Sequence, residues 1–118
     1  MKIKYIDLLR CVKPMKLLCE KDGICFASSL AISKNVTLID SAIESYLTKK
    51  DKLCEKYLVS SANGKTVKNG CEEDYLKELT ELNDSEAELD IEKISPTSLS
   101  NITFSPACVQ SISFMLDI

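Results

Sequence analysis

The chain has 118 residues, a formal net charge of −3 and no histidine. Hydrophobic residues make up 45% and charged residues 28%, which is typical of a soluble globular protein of one domain, residues 1–118. The lack of histidine excludes Ser-His and Cys-His catalytic pairs and most zinc sites, and no stretch approaches the roughly 18 apolar residues that a membrane span needs. We therefore expect a protein that is not an enzyme and not a membrane protein.

The cysteines predict neither a metal site nor a disulfide framework. No Cys-x-x-Cys pair occurs, so we expect no metal and no cofactor. The basic amino terminus lacks a long apolar segment, so we expect no signal peptide. Without a sign of export, we predict a cytoplasmic protein with reduced cysteines that are mostly buried. The six cysteines are Cys11, Cys19, Cys25, Cys54, Cys71 and Cys108.

Charge is divided unevenly along the chain. Residues 1–70 hold 13 Lys or Arg against 7 Asp or Glu, and residues 71–118 hold 2 against 11. The two halves can neutralise each other within one fold, or the division can steer a charged partner. With Arg10 as the single arginine and an acidic total, we expect no direct nucleic-acid binding. The acidic stretch 72–92 is either a solvated face or an imitation of a phosphate backbone, and both readings stay open.

The predicted elements begin with a short strand and a helix. Lys2–Tyr5 alternates basic and apolar residues, which is a weak strand signal. Asp7 is the predicted cap of a helix that reaches Cys19, with Pro14 bending or splitting it.

One long helix is predicted for about residues 25–58. Suitable side chains recur there in alternating steps of four and three, and neither Pro nor Gly interrupts them. At roughly 1.5 Å per residue such a helix is about 50 Å long, more than the width of a compact domain of this size. We therefore expect part of its apolar seam to pack against another copy, as the coiled-coil-like interface of a dimer or higher oligomer, or against another protein. The alternative is a core helix around which the other elements of the same chain wrap. The predicted interface residues are Ile32, Val36, Ile39, Ile43, Tyr46, Leu53 and Tyr57.

The second half of the chain is predicted to form short elements. Residues 60–70 contain Asn63-Gly64 and Asn69-Gly70, which predict a flexible turn or an exposed hairpin. An acidic helix and an alternating strand follow within 71–94, and the strand, residues 86–92, is predicted to pair with the lysines of the amino-terminal strand. Ser105-Pro106 predicts a last helix over 105–117. The fold class is therefore α+β and mainly helical, with one long central helix, two or three shorter helices and a small antiparallel sheet or hairpin.

A small-ligand pocket is a further hypothesis. At a dimer seam, Arg10, Lys34, Asn35 and a tyrosine could surround a phosphate or a nucleotide. No spacing motif identifies this pocket.

Three passages carry a resemblance to known proteins. They are Met1–Lys4 with Leu8-Leu9, then Leu30–Asn35, and finally Glu88–Ile94 followed by Ser105-Pro106. In this order they resemble small accessory proteins encoded in phages and prophages of Gram-positive bacteria. The resemblance implies a viral protein without enzymatic activity and offers no catalytic residues to transfer.

That resemblance suggests how the protein acts. We expect a homo-oligomeric, non-catalytic phage protein in the host bacterial cytosol. It is expected to inhibit anti-phage defence by sequestering a host defence protein or a signalling nucleotide. The alternative is a chaperone for virion or tail assembly, or a structural accessory protein.

Overall fold

The computed structural model describes residues 1–61 and 64–117. Its fold is α+β and mainly helical, as predicted, with one long helix, four shorter α-helices and two small antiparallel sheets. The elements in chain order are β1 (Lys2–Lys4), α1 (Tyr5–Arg10), α2 (Val12–Cys19), α3 (Phe26–Tyr57), β2 (Leu58–Ser61), β3 (Gly64–Val67), α4 (Glu72–Asp84), β4 (Glu86–Glu88) and α5 (Pro106–Ile112). Short 3-10 turns lie at Pro96–Leu99 and Ser113–Met115.

Helix α3 confirms the predicted long helix within one residue at each end. Its 32 residues contain no Gly or Pro, so nothing in the backbone interrupts the hydrogen-bond ladder. At roughly 1.5 Å per residue it is about 48 Å long. The molecule measures 53 × 28 × 22 Å, so the helix runs along its longest dimension.

The apolar stripe of α3 is largely covered by the same chain. Helices α1, α2 and α4 pack against it, and the ring of Tyr46 lies 5.5 Å from the ring of Tyr5. Of the seven residues predicted to form an oligomer interface, Ile32, Ile39, Tyr46 and Tyr57 are buried, while Val36, Ile43 and Leu53 are half-buried.

The four buried side chains are therefore not free to contact a second copy, contrary to the prediction. That prediction assumed a compact body that is shorter than the helix. Instead the chain is elongated, and its short helices are distributed along the stripe. Self-association through another surface stays a prediction.

The first helical segment is split at Cys11. Proline has no N–H, and its ring clashes with the carbonyl four residues earlier, which for Pro14 is the carbonyl of Arg10. Helix α1 accordingly ends at Arg10, and a new helix begins with the hydrogen bond from Met15 N–H to the Cys11 carbonyl at 2.9 Å. The first helix begins at Tyr5 rather than after Asp7, so the predicted Asp7 cap is wrong.

Strands β1 and β4 form the predicted antiparallel pair. Lys2 lies opposite Glu88, and Lys4 lies opposite Glu86. The strand was predicted to continue to residue 92, but it ends at Glu88. Strand β1 has only three residues; Leu89 still bonds to Met1, but β1 supplies no backbone opposite residues 90–92.

The hairpin prediction for residues 60–70 is confirmed by the pairing of β2 with β3, although β2 begins earlier, at Leu58. Asn63 of the predicted Asn63-Gly64 turn lies outside the described residues. The second predicted turn is present: Gly70 has a φ of +81°, and the Cys71 N–H bonds to the Lys68 carbonyl at 3.0 Å. The acidic helix is confirmed as α4, with three carboxylates in its first turn.

Helix α5 is shorter than the predicted 105–117. Ser105 caps it as expected, with its Oγ accepting from the Cys108 N–H at 3.3 Å. The chain leaves the helix at Ile112 because the following residues pair with Ile94. The Ile94 N–H donates to the Met115 carbonyl, and the Asp117 N–H donates to the Ile94 carbonyl, both at 2.8 Å.

The core lies where α1, α2 and the middle of α3 meet the carboxyl-terminal segment. Leu8, Leu18, Ile94, Ile112 and Met115 are almost completely buried there. No described helix is long and apolar enough to cross a membrane.

The cysteines differ from the prediction that most are buried. Cys11 is buried, whereas Cys19 and Cys25 are exposed and the other three are half-buried. Apolar neighbours in the sequence therefore did not predict correctly which cysteines are buried.

Candidate binding site

An open cleft of about 800 Å³ lies beside β1. One wall comes from Met1–Lys4, and the opposite wall comes from α5 and the turn after it. Arg10 lies in the cleft, so one of the three predicted ligand residues is at this site. Its volume falls within the range of about 300–1,000 Å³ that is usual for ligand sites.

The cleft extends along β1. Successive residues of a strand point to opposite faces, so a cavity lined by all four residues of Met1–Lys4 follows the length of the strand, and Glu86 of β4 also lines it. One edge of β1 is paired with β4. The cleft therefore borders the unpaired edge.

The ladder determines which backbone groups point into that edge. Met1 and Leu89 exchange both of their bonds, at 3.0 and 2.9 Å, and the Tyr5 N–H bonds to the Ser85 carbonyl at 3.1 Å. In an antiparallel pair the bonded residues alternate, so the N–H and C=O of Lys2 and Lys4 point away from β4. The Lys4 carbonyl begins the first turn of α1. The two Lys2 groups and the Lys4 N–H thus remain on the open edge, and none of them bonds elsewhere among the described residues.

The cleft carries more positive than negative side chains. Lys2, Lys4 and Arg10 line it, against the carboxylates of Asp7 and Glu86. Arg10 and Asp7 form an exposed ion pair at 3.7 Å, whereas neither lysine has a carboxylate within 4.0 Å in the described part of the chain. Surface cations without a fixed partner favour an anionic ligand, especially at low salt.

The far wall is anchored by the core. Ile112 of α5 is almost completely buried, which fixes the helix against the rest of the protein. The same helix presents Gln110 and Ser111 to the cleft, and the following turn presents half-buried Phe114. This wall therefore offers polar groups and one aromatic ring to a ligand.

Lys34 and Asn35 do not join Arg10 at this cleft. Lys34 is on α3 and pairs with Asp90 at 3.7 Å on the surface. Asn35 is completely buried, and its amide both donates to and accepts from the backbone of Glu92 at 2.9 Å. Because Asn35 is completely buried and its amide is bonded to Glu92, it is not accessible to a ligand. The prediction that Asn35 binds a ligand is therefore wrong, and its role is structural.

Lys2 and Lys4 are the site residues that the sequence reading missed. Their alternation with apolar residues predicted a strand and its acidic partner, both of which are confirmed. The open second edge depends on where α5 lies, and no local pattern indicates that position.

Three thiols outside the cleft differ in their pKa. Burial raises the pKa of Cys11 to about 11. A hydrogen bond with the side chain of Ser28, at 3.3 Å, lowers the pKa of the exposed Cys25. Partial burial and the carboxylate of Asp40 raise the pKa of Cys19. Among the described residues, no group of three or more His, Cys, Asp or Glu could hold a metal ion.

We predict that Cys25 is the fastest of these three thiols to react with iodoacetamide. The thiolate is the reactive form, so a lowered pKa gives Cys25 more thiolate at neutral pH and makes its rate level off at lower pH than that of Cys19. Cys11 should react only after unfolding. Peptide mass spectrometry over pH 6–9 measures the three rates, and Ser28→Ala should slow Cys25 alone. Equal rates for Cys19 and Cys25 in every sample would contradict this.

Comparison with protein-family models, with curated proteins and with solved structures gave no match. The function must therefore be inferred from the residues of this chain and their geometry.

Proposed function

We propose that the protein acts by stoichiometric binding and that the cleft beside β1 holds its partner. The supporting observation is the combination of an open strand edge along a cleft of about 800 Å³ with Lys2 and Lys4, which have no ion-pair partner in the described part of the chain. The chain has no histidine to serve as a general base, which favours binding over catalysis.

The resemblance to phage accessory proteins supplies the setting of this proposal. In the cytosol of a bacterial host, the protein sequesters a component of the anti-phage defence. A defence protein is the favoured target, since a strand edge offers backbone groups that another polypeptide can match. A signalling nucleotide is the competing ligand, because the same cations attract phosphate.

Self-association remains part of the proposal, but through a different surface from the predicted stripe. Phe26 is 81% exposed and Leu30 is 60% exposed, and they lie one turn apart on the outer face of α3. Such a pair is small, so it supports a weak association rather than an obligate dimer.

We expect Leu30→Asp to abolish any concentration-dependent increase in mass, because it puts a charge into the centre of this contact. Static light scattering between 10 and 500 μM measures the change. Leu47→Asp, at a residue that is 48% exposed on the same helix, is the matched control. If Leu47→Asp abolishes the association and Leu30→Asp does not, the contact lies elsewhere.

Infection experiments test the proposed inhibition. Phages that carry wild-type protein should grow on a defended host, and phages that carry Lys2→Glu plus Lys4→Glu should not. Both should grow equally well on an undefended host. Lys65→Glu, on the exposed strand β3, controls for a general change in charge.

Other outcomes of this experiment decide between the candidate functions. A defect in particle formation on both hosts would support the assembly chaperone instead. Full inhibition by the double lysine variant, with normal amounts of protein, would contradict the role of the cleft.

A further inference from the structure

We propose that the open edge of β1 binds an acidic polypeptide segment in an extended conformation, as a third strand of the β1–β4 sheet. This inference rests on the proposed binding function and names the chemistry of its partner. It depends on one observation: the unpaired edge of β1 lies beside Lys2 and Lys4, two lysines that have no ion-pair partner among the described residues.

The backbone of β1 provides the hydrogen bonds for an added strand. The Lys2 N–H, the Lys2 carbonyl and the Lys4 N–H all face the cleft, and one residue of an incoming strand can exchange two bonds with Lys2. Strand addition of this kind takes its affinity from the main chain and its specificity from alternate side chains. Because β1 has only three residues, the contact is short.

The lysines determine which strand fits. Their side chains stand on one face of the sheet, and β4 already places Glu88 and Glu86 opposite them on the paired edge. A strand added to the other edge would bring its own alternate residues beside the same lysines, where carboxylates are favourable and further cations are not. The complementary sequence therefore alternates acidic and apolar residues, as Glu86-Ala87-Glu88 does.

Charge disfavours a second copy of β1 as the occupant. Antiparallel pairing of two β1 edges would place lysine near lysine, which is destabilising. Lysine on an exposed edge is a common protection against such pairing. The same residues that repel another β1 attract an acidic strand, so a partner protein is favoured over self-addition.

The far wall of the cleft suits the apolar side of such a strand. Alternate residues of the added strand point to the face opposite the lysines, which is the face of Ile3. Ile3 is buried in the core, and half-buried Phe114 lines the cleft nearby. A β-branched residue between two glutamates would cover this apolar surface.

A peptide-binding experiment on the full chain tests the inference. The probe is fluorescein-labelled Glu-Val-Glu-Val-Glu-Val with a blocked carboxyl end, measured by fluorescence anisotropy at 50 mM salt. The first comparison peptide replaces Glu by Lys, and the second keeps every carboxylate but carries N-methyl groups on alternate residues, which removes donors needed for a strand. We expect binding of the first probe, and at least tenfold weaker binding of both comparison peptides.

Two substitutions at one residue separate the backbone contribution from the charge. Lys2→Ala removes only the side chain, and Lys2→Pro also removes the N–H that faces the cleft; this N–H makes no bond to β4, so the sheet is retained. We expect Lys2→Pro to bind the acidic probe about tenfold more weakly than Lys2→Ala, the effect of losing about one hydrogen bond. Circular dichroism must show equal folding for the comparison to count, and Lys4→Ala against wild type gives the charge effect if Lys2→Pro is unfolded.

The outcomes distinguish this inference from the proposed function. Equal affinity for the unmodified and N-methylated acidic peptides would overturn strand addition. The same holds if a cyclic dinucleotide binds at Lys2 and Lys4 while no peptide does, but the proposed sequestering function would then stand. Self-addition would be shown by a doubled mass in light scattering that Lys2→Pro abolishes, and it would also overturn the inference.

Discussion

Replacing Ile39 by Asp is expected to unfold the isolated chain instead of separating two copies. Ile39 is 2% exposed, in the core where α2 packs against α3. A carboxylate there has no partner and loses its hydration, so we expect a loss of about 4 kcal/mol or more. That is a large part of the roughly 5–15 kcal/mol by which small domains are stable. Urea denaturation followed by circular dichroism measures the change.

Leu47→Asp is the control for this experiment. It adds the same charge to the same helix at a side chain that is 48% exposed. We expect its free energy of unfolding to stay within about 1 kcal/mol of wild type. A folded Ile39→Asp variant whose mass has halved would show that the stripe is an interface between copies, as the sequence first indicated.

Replacing Asn35 by Leu is expected to destabilise the protein by about 3 kcal/mol. The amide of Asn35 forms two hydrogen bonds of 2.9 Å with the N–H and carbonyl of Glu92, and its Nδ2 also lies 3.8 Å from the sulfur of Met115. Leucine has a similar volume but leaves both Glu92 groups unpaired. Each unpaired group in a partly buried position costs about 1–3 kcal/mol. Chemical denaturation gives the difference directly.

Lys34→Ala is the comparison, because Lys34 is the neighbour of Asn35 and belongs to the same predicted ligand site. Its ion pair with Asp90 is exposed, and such pairs contribute about 0–1 kcal/mol. We therefore expect almost no change in stability. An Asn35→Leu variant with wild-type stability would contradict the structural role assigned to this amide.

Local patterns predicted most of the elements. The interval without Gly or Pro before Tyr57 predicted α3, and Ser105-Pro106 predicted the start of α5. The Lys2–Lys4 alternation predicted even the partner strand. The predicted ends of two elements were wrong because they depend on distant segments. The alternating strand ends early because β1 is short. Helix α5 ends early because Ile94 pairs with the residues that follow the helix.

The binding cleft was harder to predict from the sequence than the secondary structure. Arg10 was among the predicted ligand residues, and it lines the cleft. Lys34 and Asn35 follow each other on a helix, so their side chains point about 100° apart, and one is exposed while the other is buried. The cleft at the open edge of β1 could not be predicted from the sequence, because it depends on the position of α5. Tertiary packing determines that position.

A backbone NMR titration of the full chain with the Glu-Val-Glu-Val-Glu-Val peptide tests most directly where the protein binds. We predict that the largest chemical-shift changes occur at the amides of Lys2 and Lys4 and at Ser111 and Phe114 across the cleft. Changes confined to the outer face of α3 around Phe26 and Leu30, with Lys2 and Lys4 unaffected, would contradict it.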